Sequence, residues 1–177
     1  MTRGIRVSVV SKYLPERSSV PNRQFVFAYT VKIAGTGSTP GVEVAARDAV
    51  RQAFDTVVAK MSTYDDASEL SRFNRHAAHT PFAMSDETFA VFARAREVSA
   101  ASEGAFDITV APAVDAWGFG PAKAQRVVTG ESLRALQGRV GWQRLALDAR
   151  ARTVAKSMPD VRADLSGIAK GYGVDRA

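Results

Sequence analysis

From Ala46 to Met61 apolar side chains return at three- and four-residue steps: Ala46, Ala49, Val50, Ala53, Phe54, Val57, Val58 and Met61. Glu43, Arg47, Arg51, Asp55 and Lys60 fall between them, so the spacing predicts a helix with one packed face and one wet face. Thr39 and Pro40 supply an N-cap and a first helical position at the end of the Gly35–Gly41 loop. Before that loop, residues 25–33 read FVFAYTVKI, an aromatic and β-branched run that predicts a strand. A second helix is expected from Ser85 as cap, with Asp86 and Glu87 in its first turn. Phe89, Phe92, Ala95 and Val98 give it an apolar side, and Gly104 a C-terminal stop. Glu131 to Trp142 reads as a short helix, and Arg144 to Met158 as a strand pair turning near Asp148–Arg152. Ser166 is placed to cap a last helix starting at Gly167. That helix would still be running at Ala177, the pattern expected of a domain incomplete at its C-terminus. Two stretches lack periodicity: residues 1–24, where Pro15 and Pro21 block long elements, and the polar, turn-like stretch 62–79.

Composition narrows this picture modestly. The 177 residues correspond to one domain, with an apolar fraction of 46% that supports a real core. There is no cysteine, which excludes disulfides, thiolate metal sites and a cysteine nucleophile. Lys and Arg number 24 against 18 Asp and Glu, a net charge of +6. The basic residues are spread along the chain, which favours a basic surface over a nucleic-acid groove, and no nucleic-acid partner is expected. No apolar run approaches the roughly 20 residues of a membrane helix, so no membrane span is expected in this chain. No apolar h-region follows Arg3 and Arg6, so no export signal is visible, and the sequence taken alone points to the cytoplasm.

Three segments carry candidate chemistry. Tyr64, Asp65, Asp66, Ser68, Glu69, Ser71, Arg72 and Asn74 crowd hydrogen-bonding groups directly behind the long helix, and Tyr64 offers a ring to stack on a planar ligand. The bland reading of that segment is a solvated connection. Residues 104–121, GAFDITVAPAVDAWGFGP, set a carboxylate and large rings among glycines, an arrangement suited to a flat aromatic ligand with a polar rim. The alternative there is a turn whose rings fill the core, with Asp107 or Asp115 as cap or turn residues. Residues 164–171, DLSGIAKG, resemble an anion site: the amides of Gly167, Ile168 and Ala169 would converge at a helix start, with Lys170 adding a cation. An ordinary helix start reads the same way, and no Walker A spacing is present. His76 and His79 lack the carboxylate pattern of a metal site.

MSTYDDASELSRFN (61–74), GAFDITVAPAVDAWGFGP (104–121) and DLSGIAKGYGVDRA (164–177), in that order, resemble the ApbE family, the FAD:protein FMN transferases. The resemblance covers the N-terminal half of the family domain, assigned here to residues 25–177, with residues 1–24 as an irregular basic N-terminal segment. It implies an α+β fold holding FAD between two halves. It also implies Mg²⁺-dependent cleavage of the FAD pyrophosphate and transfer of FMN to a threonine of a target protein through a phosphoester, with AMP leaving. The targets implied are flavin-accepting subunits of membrane redox complexes, and the family is often periplasmic or inner-membrane anchored. By position, Tyr64 would contact the flavin nucleotide, and Ala105, Phe106 and Asp107 would line the adenine or ribose side. Asp164 and Lys170 would contact FAD near the phosphates, and the Gly167 carbonyl would meet magnesium. Where the family carries Met-Gly-Thr, this chain has Phe25-Val26-Phe27. The family's other metal ligands and its catalytic histidine belong to its C-terminal half, so no catalytic residue is assigned here. The alternative is a non-catalytic FAD- or nucleotide-binding module, a degenerate paralogue.

Overall fold

The computed structural model describes residues 6–12, 28–34, 41–121 and 129–177. Two strands, β1 (Arg6–Lys12) and β2 (Ala28–Ala34), pair antiparallel with Arg6 opposite Ala34 and Lys12 opposite Ala28. A strand therefore occupies part of the segment expected to be irregular. Val7, Val9 and Val10 carry its β propensity, and the prolines at 15 and 21 fall beyond its end. The predicted strand 25–33 is seen as β2, while Phe25–Phe27, Thr39 and Pro40 lie outside the described residues.

Helix α1 (Val42–Met61) follows Gly41, whose left-handed φ of 108° opens the helix without a side-chain cap. Its buried residues are Val50, Phe54, Val57 and Met61, whereas Ala49 is exposed and Ala53 only half-buried. The packed face is narrower than the alanine-rich stripe predicted, because alanine is tolerated on either side of a helix. Helix α2 (Glu69–Arg75) lies inside the stretch read as turn-like. Ser68 caps it by accepting from the Ser71 amide at 3.0 Å, and Leu70 and Phe73 bury its inner face. Helix α3 (Asp86–Ala101) starts after Ser85 as predicted and buries Thr88, Val91, Phe92, Ala95 and Ser99. It stops at Ser102. Gly104, with φ of 85°, donates its amide to the Ser99 carbonyl at 2.8 Å two residues further on.

Helix α4 (Ala111–Ala116) and helix α5 (Gly130–Gln137) are short, and a single 3₁₀ turn, Trp142–Arg144, precedes the predicted strand pair. That pair is β4 (Leu145–Asp148) and β5 (Thr153–Lys156), joined on the far edge of β5 by β3 (Phe82–Ala83), all antiparallel. Helix α6 (Ala169–Arg176) packs against α1 and runs beside β1. Its start is two residues later than predicted, and Ser166 makes no cap bond to it. No described helix is long and apolar enough to cross a membrane.

The core gathers these elements around Phe73, which packs edge-on against Phe92 at 5.4 Å and Phe82 at 5.8 Å between ring centroids. Glu69 reaches from α2 to the head of α3, accepting from the Ser85 amide and the Ser85 hydroxyl at 2.7 Å each and from the Thr88 hydroxyl. On the other side of α3, Lys60 Nζ lies 2.6 Å from Glu87. The Lys60 hydrogen bond, followed by the backbone amide of Glu87, holds that carboxyl below its ordinary value. A depressed carboxyl stabilises the fold above its unfolded-state pKa and loses that contribution as pH falls through the folded-state value. Urea unfolding at about pH 7 and about pH 3 should therefore show a shallower acid-side loss in Glu87→Gln, by less than about 1 kcal/mol for so accessible a pair. An unchanged acid-side slope would remove the ion pair from the stability of the α1–α3 contact.

Candidate functional site

Residues 62–68 form a compact loop because serines answer the open end of α1. The Ser62 carbonyl accepts from the Ser68 hydroxyl at 2.6 Å and the Ser71 hydroxyl at 3.2 Å. The Ser62 hydroxyl in turn accepts from the Tyr64 amide at 3.1 Å. The loop thus directs Tyr64 outward, where its hydroxyl donates to the Phe119 carbonyl at 2.7 Å. Trp117 and Phe119 do not fill the core: they are 56% and 75% exposed.

Residues 161–165 alternate strictly between buried and half-buried positions. Val161, Ala163 and Leu165 are each fully buried, so Arg162 and Asp164 face the other way. The three middle backbone positions of this thread have distant partners. Arg162 forms a parallel bridge with Val110. The Asp164 amide donates to the Ile108 carbonyl at 2.7 Å. Asn74 serves Ala163 with both ends of its amide: Nδ2 donates to the Ala163 carbonyl at 2.8 Å and Oδ1 accepts from the Ala163 amide at 2.7 Å. The buried Lys156 braces the same corner, its ammonium donating to the Asn74 carbonyl at 2.7 Å and the Pro159 carbonyl at 3.1 Å. Burial, then the nearby positive charge of Arg162, pushes Lys156 below the ordinary lysine range.

These ties border one half-open hollow of about 200 Å³. Thr63, Asn74 and Arg75 form one wall, Ala111, Asp115 and Pro121 a second, and Arg162 and Asp164 a third. All three segments singled out in the sequence therefore meet at one place. The hollow is smaller than the roughly 300–1,000 Å³ of a typical small-molecule site.

Of the predicted site residues, Asp164 lines the hollow directly, and its Oδ1 accepts from the Ser166 amide at 2.8 Å. Tyr64 follows the wall residue Thr63 and is bonded across to the loop that ends at Pro121. Gly167 lies against Phe106: a Cβ on Gly167 would stand 3.2 Å from the Phe106 ring. Ala105 is exposed in the turn after α3. Lys170 is half-buried in the first turn of α6, away from the wall of the hollow. His76 and His79 also lie off the wall, the His76 ring packing on Phe82 at 5.2 Å.

Asp107 has a structural occupation. Its Oδ1 accepts from the amide and the hydroxyl of Thr109 at 2.7 Å each, and its Oδ2 from the Trp142 amide at 2.8 Å. Thr109 is fully buried and its hydroxyl also accepts from Gly141, so Asp107 staples the turn after α3 to the 3₁₀ turn. Asp107→Ala should cost about 2 kcal/mol in chemical denaturation, since buried donors lose their acceptor. A loss below about 0.5 kcal/mol, within the range of ordinary surface substitutions, would deny the staple.

The expected anion site at the head of α6 is reshaped. The amides of Ile168 and Ala169 both donate to the Leu165 carbonyl, at 3.0 and 2.8 Å, so they do not converge on a ligand. The turn made by Asp164 and Ser166 takes up the residues that would have begun the helix. Among the described residues, no three His, Asp or Glu side chains group to hold a metal. Sequence reasoning passed over Arg162 and the tether of Asn74. The alternation of Val161, Arg162, Ala163, Asp164 and Leu165 was the available signal.

Helices and two small sheets make an α+β protein in which three distant stretches of chain border one hollow. Residues 26–177 match the ApbE family, and the chain belongs to that family. It is 40% identical over 152 residues to a protein of Haemophilus influenzae named FAD:protein FMN transferase, covering 84% of this chain and 44% of that one. A Vibrio cholerae protein of the same name is 45% identical over 117 residues, covering 66% and 34%. The solved flavin transferase ApbE from Vibrio cholerae superposes with a TM-score of 0.74 at 32% identity, covering 98% of this chain and 52% of that one. The α+β architecture expected from the sequence is thus the family's own, and the chain spans from about a third to about half of the length of these relatives.

Proposed function

We propose that this chain supplies part of the FAD pocket of a Mg²⁺-dependent FAD:protein FMN transferase. In that reaction a threonine hydroxyl of the acceptor attacks the FMN phosphorus. The bond between that phosphorus and the bridging pyrophosphate oxygen breaks, AMP leaves with the bridging oxygen, and the threonine proton passes to solvent. The acceptor we propose is a flavin-carrying subunit of a membrane redox complex. One observation carries the reading: the tyrosine loop, the segment running on from Ala105-Phe106-Asp107 and the Asp164 turn border a single hollow. The names of the Haemophilus and Vibrio relatives support the same assignment.

The described side chains bind and orient in this reading. Asp164 offers a carboxylate to hydroxyl or amide groups of the nucleotide, and the exposed rings near Pro121 offer flat apolar surface. Magnesium, when bound, neutralises phosphate charge during in-line transfer. The Gly167 carbonyl would supply one oxygen of its roughly six-oxygen shell.

The test is an FAD titration of this chain by flavin fluorescence, with and without Mg²⁺, followed by chromatography for AMP. Saturable FAD binding with little AMP release and poor labelling of a threonine acceptor is expected. Absence of saturable binding would refute the pocket. Robust Mg²⁺-dependent labelling by this chain alone would refute its restriction to binding.

A further inference from the structure

We propose that Arg162, aimed by Asp115, is the anion-recognising residue of the hollow and takes a phosphate oxygen of the bound dinucleotide. This rests on the reading of the hollow as part of an FAD site and adds the residue that reads the charge of the ligand.

Three observations lead there. Arg162 shares a face with Asp164 because its neighbours Val161 and Ala163 are turned into the core, and both polar residues line the hollow. Its Nη2 stands 2.7 Å from Asp115 Oδ2, and the acid is the better buried partner, 15% exposed against 41% for the arginine side chain. Asp115 is in turn confined by Gly120. A Cβ there would fall 1.7 Å from Asp115 Oδ1 and 3.1 Å from its Cα, so only glycine leaves the carboxylate its position. An arginine has several N–H donors in a rigid fork. One edge fixed on a held carboxylate leaves the guanidinium oriented at the rim of the hollow, a geometry suited to a second, anionic acceptor.

The other cations near the hollow fit the task less well. Arg75 spends both terminal nitrogens on Asp66, Nη1 lying 3.3 Å from the fully exposed carboxylate and Nη2 donating to the Asp66 carbonyl at 2.5 Å, so its fork is already occupied. The α6 head has two of its first amides bonded to Leu165. Arg162 is the cation held on a rigid strand-like thread by bonds to both sides.

The experiment measures affinity for FAD and for inorganic diphosphate at low and high salt, in the wild-type chain, Arg162→Gln, Arg162→Lys and Asp115→Asn, with a melting curve for each. Loss of one charge-assisted hydrogen bond corresponds to about ten- to hundredfold in affinity. Arg162→Gln should weaken both ligands by that amount and flatten the salt dependence of FAD binding. Arg162→Lys should recover the salt dependence and part of the affinity. Asp115→Asn should fall between, because it leaves the charge and removes its aim. Unchanged affinity in Arg162→Gln, or reduced affinity with an unchanged salt slope, would overturn the inference and leave a purely structural ion pair. Arg162-dependent diphosphate binding in a chain that ignores FAD would uphold the anion role and sink the FAD reading. Failure to bind either ligand would sink both.

Discussion

Phe73→Ala should lower the stability of this chain by about 4 kcal/mol, the range for a large aromatic removed from a close-packed core. Phe73 is 1% exposed and stands where α2, α3 and β3 meet, edge-on to two other phenylalanine rings. The short helix α2 has Leu70 and Phe73 as its main apolar anchors, so it loses half its grip with this one ring. The Lys156 ammonium also lies 6.0 Å from the ring centroid, close to the corner that holds Asn74. Equilibrium unfolding in urea measures the loss. Phe73→Leu should recover more than half of it, because volume is largely restored. A loss under about 1 kcal/mol for the alanine variant would mean that α2 is not docked on this core.

Asn74→Ala should be nearly as damaging, at about 3 kcal/mol, and should also remove FAD binding. Ala163 is fully buried, and its amide and carbonyl both find their partners on the Asn74 side chain. Alanine would strand both, at about 1–3 kcal/mol for each buried group left unpaired, less what entering water restores. Asn74→Asp is the sharper variant. It is nearly isosteric and keeps an acceptor for the Ala163 amide, but it turns a carboxylate oxygen toward the Ala163 carbonyl where a donor stood. Asn74→Asp should therefore fold less stably than wild type and lose the alignment of the 62–75 wall with Arg162 and Asp164. Urea unfolding and FAD titration of the same samples check both statements. Wild-type behaviour in Asn74→Asp would show that the tether does not shape the hollow.

The parts of this fold that a reader of the sequence recovers are those whose cause is local. Helices α1 and α3 advertise themselves through periodicity and, for α3, through Ser85 with Asp86 and Glu87 behind it. The β4–β5 hairpin follows from weak alternation around a turn. Helix α2 was hidden because its seven residues are mostly polar and its apolar pair, Leu70 and Phe73, is too short a pattern to outweigh the serines around it. Strand β1 was hidden because the prolines at 15 and 21 coloured a whole segment of which they occupy only the later part. The α6 start was misplaced because a serine before a glycine imitates a cap, while the competing turn depends on where the Asp164 carboxylate points.

The site divides in the same way. Asp164 was found because it sits inside a motif, and it does line the hollow. Asp107, in a motif as well, proves to hold Thr109 and Trp142, a task that depends on a partner 35 residues away. Asn74 and Ala163 are 89 residues apart, and nothing in either neighbourhood announces their pairing. Asp115 and Arg162 are likewise joined only once α4 lies against the 161–165 thread. Long-range tethers of this kind shape the hollow, and they become visible only in three dimensions.

Amide hydrogen exchange of the chain with and without saturating FAD locates the ligand without any substitution. Protection should rise together in three separate peptides, those containing Thr63–Arg75, Ala111–Pro121 and Arg162–Gly167, while the α5 peptide keeps its free-state exchange. Protection confined to one of the three, or centred on the outer face of α1, would mean that these segments do not jointly grip a dinucleotide.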